Sequence, residues 1–176
     1  IQRSRVFMTQ LEQSLAAANT ALSYAKEGGS ITILNPAPAQ PLGENILKLC
    51  DFVTPNEIEA EQITGIPVKS VSDAEVAADK LLEKGASAAV ITLGEQGALF
   101  KDSKQIIHQP SFQVGPIVET TGAGDAFNGG LAVALAEEMP IDKALRFACA
   151  TASISVTRPG TAPSMPDRNE IDTLIT

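Results

Sequence analysis

The chain has 176 residues, 44% of them apolar, which is enough to bury a sizeable core as one domain. Its formal net charge is −8 and no run of lysine or arginine stands out, so nucleic acid and anionic membranes are poor candidates as partners. No apolar run approaches the roughly 18 residues that span a bilayer and no signal peptide is visible, so we expect a cytoplasmic protein.

Strand-like and helix-like patterns alternate along the chain. The strand patterns, each with the loop or turn that follows it, lie at 6–10, 31–39, 51–57 and 88–97. Helices are predicted at about 12–26, from Asn56 to Ile63, from Ser72 to just before Gly85, and at about 123–138, 141–157 and 168–175. Short alternating stretches at 98–101, 105–108 and 112–115 are typical of hairpins.

This alternation predicts a fold class. Several buried apolar strands separated by helices indicate an α/β protein whose mostly parallel sheet carries helices on both faces. Because ligands collect at the carboxyl ends of parallel strands, the loops after the strands are the informative ones. No linker, repeat or low-complexity tract interrupts the chain, and we expect residues 1–176 to form a single domain.

The most informative segment is "TTGAGD", directly before a predicted helix. Gly122, Ala123 and Gly124 fall where a helix has unpaired N–H groups, and their small side chains leave those groups accessible to an anion. Asp125, in the first turn, is placed to take a proton from a hydroxyl that attacks a phosphoryl group. The alternative is a glycine-softened helix start with an ordinary first-turn acid. The segment matches neither GxxxxGK[ST] nor GxGxxG.

Two further segments carry weaker signals. In "PNEIE", Asn56 and Glu59 lie on one face of a first helical turn, where they could hold water on a phosphate-bound Mg²⁺, or form only a capping box. In "TLGEQG", Gly94 and Gly97 make a tight loop that a purine or ribose could lie against, although glycines often end strands.

The remaining candidates have ordinary explanations. The carbonyls of "SISVTRPGTAPS", residues 153–164, could bind a monovalent cation, or simply end a helix. Cys50 and Cys149 have no metal-site or CxxC spacing and are expected to be buried thiols. His108 is expected to be a surface or packed histidine.

Together these segments resemble the ribokinase-like family of carbohydrate kinases, over about Leu11 to Ile171. "TTGAGDAFNGGL" is similar to the C-terminal signature of the family, and "ITLGEQG" to its nucleotide loop. "NPAPA" and "TPNEIEAEQITG" resemble family segments in the same order. The resemblance implies a three-layer α/β/α fold and raises the expectation of a phosphotransferase.

The resemblance also implies residue roles. Asp125 would be the general base, while Gly122 and the amides of Ala123 and Gly124 would stabilise charge on the phosphoryl group. Asn56 would serve phosphate, Glu59 would be associated with Mg²⁺, and Glu12 in "QLEQ" would contact the sugar with Asp125. The residues implied in nucleotide binding are Asn56, Thr92, Leu93, Gly94, Glu95, Gln96, Gly97, Gly124 and Cys149.

A potassium site is implied as well, mostly through carbonyls. Its implied residues are Glu119, Thr121, Ser155, Arg158, Gly160 and Ser164. Glu119 stands where the family usually has aspartate, and its extra methylene carries the carboxylate further towards the cation. The resemblance therefore leaves open whether Glu119 supports the site.

The expected activity is transfer of the γ-phosphate of ATP to the 5-hydroxyl of D-ribose, with Mg²⁺ and K⁺. The alternatives are another acceptor within the family, such as fructose, fructose phosphate or a nucleoside such as adenosine, or a nucleotide-binding module without catalysis. The N-terminal part that supplies most sugar contacts in the family is missing from the sequence. We therefore expect the C-terminal portion of a kinase, inactive alone, with a homodimeric parent.

Overall fold

A computed structural model describes residue 1 and residues 3–176. The strands are β1 (Val6–Thr9), β2 (Ile31–Leu34), β3 (Phe52–Val53), β4 (Ala88–Thr92), β5 (Ala98–Asp102) and β6 (Ile106–Gln109). The α-helices are α1 (Leu15–Glu27), α2 (Glu44–Leu47), α3 (Glu57–Thr64), α4 (Val71–Glu83), α5 (Ala123–Ala136), α6 (Ile141–Ser155) and α7 (Arg168–Ile175). Two 3₁₀ helices lie at Gly94–Gln96 and Ala162–Ser164.

The strands form one six-stranded sheet in the order β1-β2-β3-β4-β5-β6. β1 to β4 are parallel, with Val6 opposite Ile31 and Val53 opposite Ala89 in the register. The three-residue connection before β6 is too short for a parallel crossover, so β5 and β6 form a hairpin. The mostly parallel α/β fold expected from the sequence is confirmed.

The chain folds into two compact units. The first unit contains Ile1–Leu93 and Leu99–His108, and the second contains Gly94–Ala98 and Gln109–Thr176. No helix in the described part of the chain combines the length and apolar character that a membrane span needs.

The core of the first unit follows the sequence periodicity. In α4 the buried side chains are Ala74, Ala77, Ala78 and Leu81, one helical stripe. Along β4 both alternating sets of side chains are buried, so both faces of this strand are covered.

In the second unit α5 packs against α6. The two helices approach closely at Gly130, where a Cβ would lie 2.7 Å from the Thr151 hydroxyl oxygen and 3.1 Å from the Ala148 Cα. Phe127, Leu131 and other apolar side chains of α5 are buried, as its apolar sequence predicts.

Three details of the sequence prediction were wrong. Helix α4 begins two residues earlier than expected, because the hydroxyl of Ser70, not Ser72, caps it and accepts the Asp73 N–H at 3.1 Å. Residues 112–115 are not a strand, since this stretch makes no ladder. The short helix α2 was not predicted because four residues carry too little periodicity.

Candidate active site and nucleotide loop

Helix α5 begins without a side-chain cap. Its N-cap residue is Gly122, in the left-handed conformation with φ +83°, which L-residues rarely adopt. A Cβ on Gly122 would lie 3.2 Å from the Cγ2 of Thr161, so backbone and side chain already approach closely there. The helix therefore starts from a backbone conformation that favours glycine.

Only some of the first-turn N–H groups of α5 donate hydrogen bonds within the described residues. The N–H of Ala123 donates to the carbonyl of Thr120 at 3.1 Å, whereas the N–H of Gly124 makes no hydrogen bond to any residue in 3–176. A Cβ on Gly124 would meet no atom within 4 Å, so the space beside this amide is open. Asp125 follows and is exposed. An open amide, a helix dipole and an accessible carboxylate can together bind a phosphate and accept a proton.

The segment before α5 is hydrogen-bonded to the end of α6 and the loop that follows it. The N–H groups of Val118 and Glu119 donate to the carbonyl of Val156 at 2.8 and 3.2 Å, and the Glu119 carboxylate accepts the Gly160 N–H at 2.8 Å. The Gly160 amide, together with the Thr121 side chain, holds the pKa of the Glu119 carboxyl below its ordinary value. Hydrogen bonds to the Glu119 carboxylate thus join three of the six residues implied in cation binding, Glu119, Thr121 and Gly160.

The other three residues of that set are held by separate contacts. The carbonyl of Ser155 accepts the Arg158 N–H at 3.2 Å, and the Arg158 guanidinium pairs with the Glu170 carboxylate. Ser164 is buried, and its hydroxyl donates to the Thr161 carbonyl at 2.6 Å. The Arg158 side chain is therefore engaged by α7, which leaves its backbone as the part that could face a cation.

The loop at residues 94–97 is a tight turn. Gly94 and Gly97 have φ of +51° and +91°, and the N–H of Gly97 donates to the Gly94 carbonyl at 3.1 Å. A Cβ on Gly97 would overlap the carbonyl oxygen of Gln109 and lie 2.7 Å from the carbonyl carbon of Pro110. Glycine is required at position 97 by both its conformation and its neighbours.

Cys149 reaches the same carbonyl from helix α6. Its Sγ donates to the carbonyl oxygen of Gln109 at 3.8 Å, and burial raises the pKa of the thiol to about 12. The Cys149 thiol therefore donates to the same Gln109 carbonyl that lies against Gly97. The thiol stays protonated at neutral pH and serves as a small buried donor. Cys50 is likewise free and buried.

In the first unit, Asn56 and Glu59 form a complete capping box. The Glu59 N–H donates to the Asn56 side chain and the Asn56 N–H to the Glu59 carboxylate, both at 2.9 Å. Thr92 lies beside them through a bridge to Asn56, and its N–H donates to the Pro55 carbonyl at 3.0 Å. Desolvation raises the pKa of Glu59, against the lowering effect of the Asn56 N–H. Leu93 is buried.

Glu12 lies in the segment between β1 and α1 and is exposed. Within residues 1 and 3–176, no cluster of three or more histidine, cysteine, aspartate or glutamate side chains could hold a metal ion. A cation here would depend on carbonyls, hydroxyls and single carboxylates.

Sequence reasoning missed the residues that support these segments. Gln109, Ser111 and Phe112 contact the 94–97 loop or α6, and Thr161 packs on Gly122. No role was predicted from the sequence for any of these four residues, although Thr161 lies within the segment at 153–164 and Phe112 within the stretch at 112–115. Their role follows from contacts between residues far apart in sequence, which a local pattern does not contain.

The mostly parallel sheet and the glycine-led helix define a ribokinase-like α/β fold. The solved structure of Arabidopsis thaliana ribokinase complexed with ribose and ATP superposes with a TM-score of 0.95 at 30% identity, over 99% of this chain and 56% of that one. The pfkB family carbohydrate kinase model matches residues 3–168, and the chain belongs to that family.

Two curated relatives show the same family. The ribokinase of Haemophilus influenzae is 42% identical over 172 residues, which cover 97% of this chain and 55% of the relative. The deoxyribokinase of Salmonella typhi is 37% identical over 167 residues, which cover 94% of this chain and 54% of the relative. The chain spans about half the length of the curated relatives it matches.

Proposed function

We propose that residues 1–176 are the nucleotide-binding and catalytic portion of an ATP-dependent sugar kinase. The phosphate acceptor is the 5-hydroxyl of D-ribose. The observation that carries the proposal is the start of α5, where an unpaired amide in open space adjoins an exposed carboxylate. Family membership supports it, as does the similarity to proteins named ribokinase.

In this proposal Asp125 is the general base. Its carboxylate takes the proton from the sugar hydroxyl as the hydroxyl oxygen bonds to the γ-phosphorus and the bond to the β-phosphate oxygen breaks. The Gly124 amide and the dipole of α5 stabilise the negative charge on the transferring group, with Gly122 and Ala123 shaping the turn. Positioning and electrostatic stabilisation of this kind supply most of the catalysis in phosphoryl transfer.

The proposed nucleotide ligands are assigned in the two units separately. In the second unit the loop at 94–97 and Cys149 bind the adenosine, and in the first unit Thr92 and Leu93 precede that loop. Asn56 and Glu59 bind phosphate and water on Mg²⁺. The Glu59 carboxylate fits that role, because one hydrogen bond from the Asn56 N–H leaves further acceptor sites on its oxygens.

We also propose that a monovalent cation binds beside the segment before α5. Its ligands would be mainly carbonyls of Thr121, Ser155 and Gly160 and of Arg158, with Ser164 supporting them. The Glu119 carboxylate fits as a nearby negative charge, because its Oε2 is directed at the Gly160 N–H. K⁺ would then supply electrostatic support to the start of α5.

The proposed acceptor is a sugar hydroxyl. Glu12 and Asp125 are the two candidate sugar contacts in this chain. The 37% identity to a deoxyribokinase makes deoxyribose a second candidate acceptor, because the 2-hydroxyl is the only group that separates the two sugars. We further expect the natural protein to be a cytoplasmic homodimer.

The test is ATP turnover by the natural protein in a coupled assay. Ribose, deoxyribose, fructose, fructose phosphate and adenosine are compared as acceptors, with Mg²⁺ present and with K⁺ or Na⁺ as the monovalent ion. We expect the largest kcat/KM for ribose and activation by K⁺. Absence of turnover with every sugar, together with retained ATP binding, would support the non-catalytic alternative instead.

A further inference from the structure

Residues 109–112, which begin at the last residue of β6, contact the loop at residues 94–97. We name residues 109–112 the strap and residues 94–97 the nucleotide loop. The Ser111 hydroxyl donates to the carbonyl of Glu95 at 2.6 Å, and the Gln109 carbonyl occupies the position that a Cβ of Gly97 would take. The strap therefore contacts the nucleotide loop at both its middle and its end.

The strap is itself anchored on helix α6. The N–H of Phe112 donates to the Ser153 hydroxyl at 3.1 Å, and the Arg146 guanidinium lies 4.9 Å from the centre of the Phe112 ring. At the other end of the strap, the Cys149 thiol donates to the Gln109 carbonyl. Three side chains of one helix thus hold the strap, which itself contacts the nucleotide loop.

Few contacts within the nucleotide loop itself fix its conformation. Its two glycines adopt positive φ, and its one internal backbone hydrogen bond joins Gly97 to Gly94. A glycine-rich loop loses much conformational freedom when it is ordered, and ordering it before the ligand arrives raises affinity. The Ser111 hydrogen bond is one side-chain contact that does this from outside the loop.

We propose that Ser111 is a positioning residue that sets nucleotide affinity by holding the Glu95 carbonyl. This inference rests on the proposed function, since it assumes that the nucleotide loop binds ATP. It predicts that removing the hydroxyl weakens ATP binding without changing the chemical step. Asp125 and α5 are not altered by the change.

The experiment compares Ser111→Ala, Ser111→Thr and the control Thr173→Val with the unchanged chain. Thr173→Val also removes a hydroxyl that donates to a carbonyl in the second unit, at 2.7 Å, but within α7. Calorimetry with ATP and Mg²⁺ measures Kd, and urea unfolding without nucleotide measures stability. In the natural protein the same variants are assayed for KM of ATP and kcat.

We expect Ser111→Ala to raise the Kd and the KM for ATP about five- to tenfold, the loss of one hydrogen bond, with kcat within about twofold. Ser111→Thr keeps the hydroxyl and should restore most of the affinity, and Thr173→Val should leave Kd unchanged.

Three results would overturn the inference. An unchanged Kd in Ser111→Ala, with ATP bound normally by the unchanged chain, contradicts the role of Ser111 and leaves the proposed function standing. A rise in Kd and a fall in kcat of equal size in Ser111→Ala and Thr173→Val would show a general loss of structure. Failure of the unchanged chain to bind ATP would overturn the proposed function and this inference with it.

Discussion

The helices α3 and α5 begin in opposite ways, although each has an acid in its first turn. At α3 the Asn56 side chain caps the Glu59 N–H, and the Glu59 carboxylate returns to the Asn56 N–H. At α5, Gly122 provides no side chain and the Gly124 amide stays open. One start uses its polar groups for stability, whereas the other leaves them available to a ligand.

The carboxylates near these two helix starts differ as well. Glu59 is 8% exposed and its pKa is raised by desolvation, while the pKa of Glu119 is lowered by the Gly160 N–H and the Thr121 side chain. Relative to a free glutamate, burial shifts Glu59 towards its neutral form, and two hydrogen-bond donors shift Glu119 towards its ionised form. The sign of the shift follows from the surroundings, not from the residue type.

The largest expected effect separates Asp125 from an ordinary first-turn acid. Asp125→Asn in the natural protein should lower kcat by at least about 10²-fold, with little change in the Kd for ATP, because a general base is lost. The matched control is Asp142→Asn, an exposed first-turn acid of α6, which should keep kcat. Steady-state kinetics measures both, and a Asp125→Asn variant with more than about a tenth of wild-type kcat would contradict the catalytic role.

The next effect concerns the residue that starts α5. Gly122→Ala should lower the free energy of unfolding by about 1–2 kcal/mol, because alanine is strained at positive φ and its Cβ would crowd Thr161. Gly129→Ala, in the open interior of the same helix, should instead raise stability by about 0.5–1 kcal/mol. Urea unfolding measures both, and equal changes in the two variants would contradict the assigned conformation.

The capping box of α3 predicts a smaller loss. Asn56→Ala should cost about 1 kcal/mol of stability, because the Glu59 N–H loses its acceptor. Asn56→Asp keeps an acceptor oxygen and should retain most of that stability. Thermal unfolding of the two variants checks this, and equal melting temperatures for both would show that the cap contributes nothing.

The smallest effect is a pH dependence of opposite sign at Glu59 and Glu119. The folded pKa of Glu59 is raised, so its contribution is present below 4.5 and is lost as pH rises through the folded value. Glu59→Gln should therefore gain stability relative to wild type as pH increases to neutrality.

For Glu119 the folded pKa is lowered, so its contribution is present above 4.5 and is lost as pH falls through the folded value. Glu119→Gln should therefore be less stable than wild type at neutral pH, and the difference should fade in acid. Urea unfolding over a pH series measures both variants, and pH-independent differences would contradict these shifts.

Much of the fold was predictable because its signals are local. Apolar runs and short alternating stretches predicted all six strands to within a few residues, and α3 ends at Thr64, close to the predicted Ile63, with Gly65 following at φ +76°. Boundaries were less accurate, as at Ser70 and Ser72, because both residues can cap a helix and only packing selects one. The mistaken strand at 112–115 had suitable residues but no partner strand.

By itself, the sequence determined how α5 begins. Glycine at position 122 favours the left-handed N-cap conformation, and Asp125 places a carboxylate in the first turn. The same holds for the capping residues Asn56 and Glu59, which interact within one helical turn. Only the tertiary structure decided that Glu119 meets Gly160 and that Ser111 meets Glu95. Those contacts join residues 41 and 16 positions apart, and they form only when packing brings distant backbone segments together.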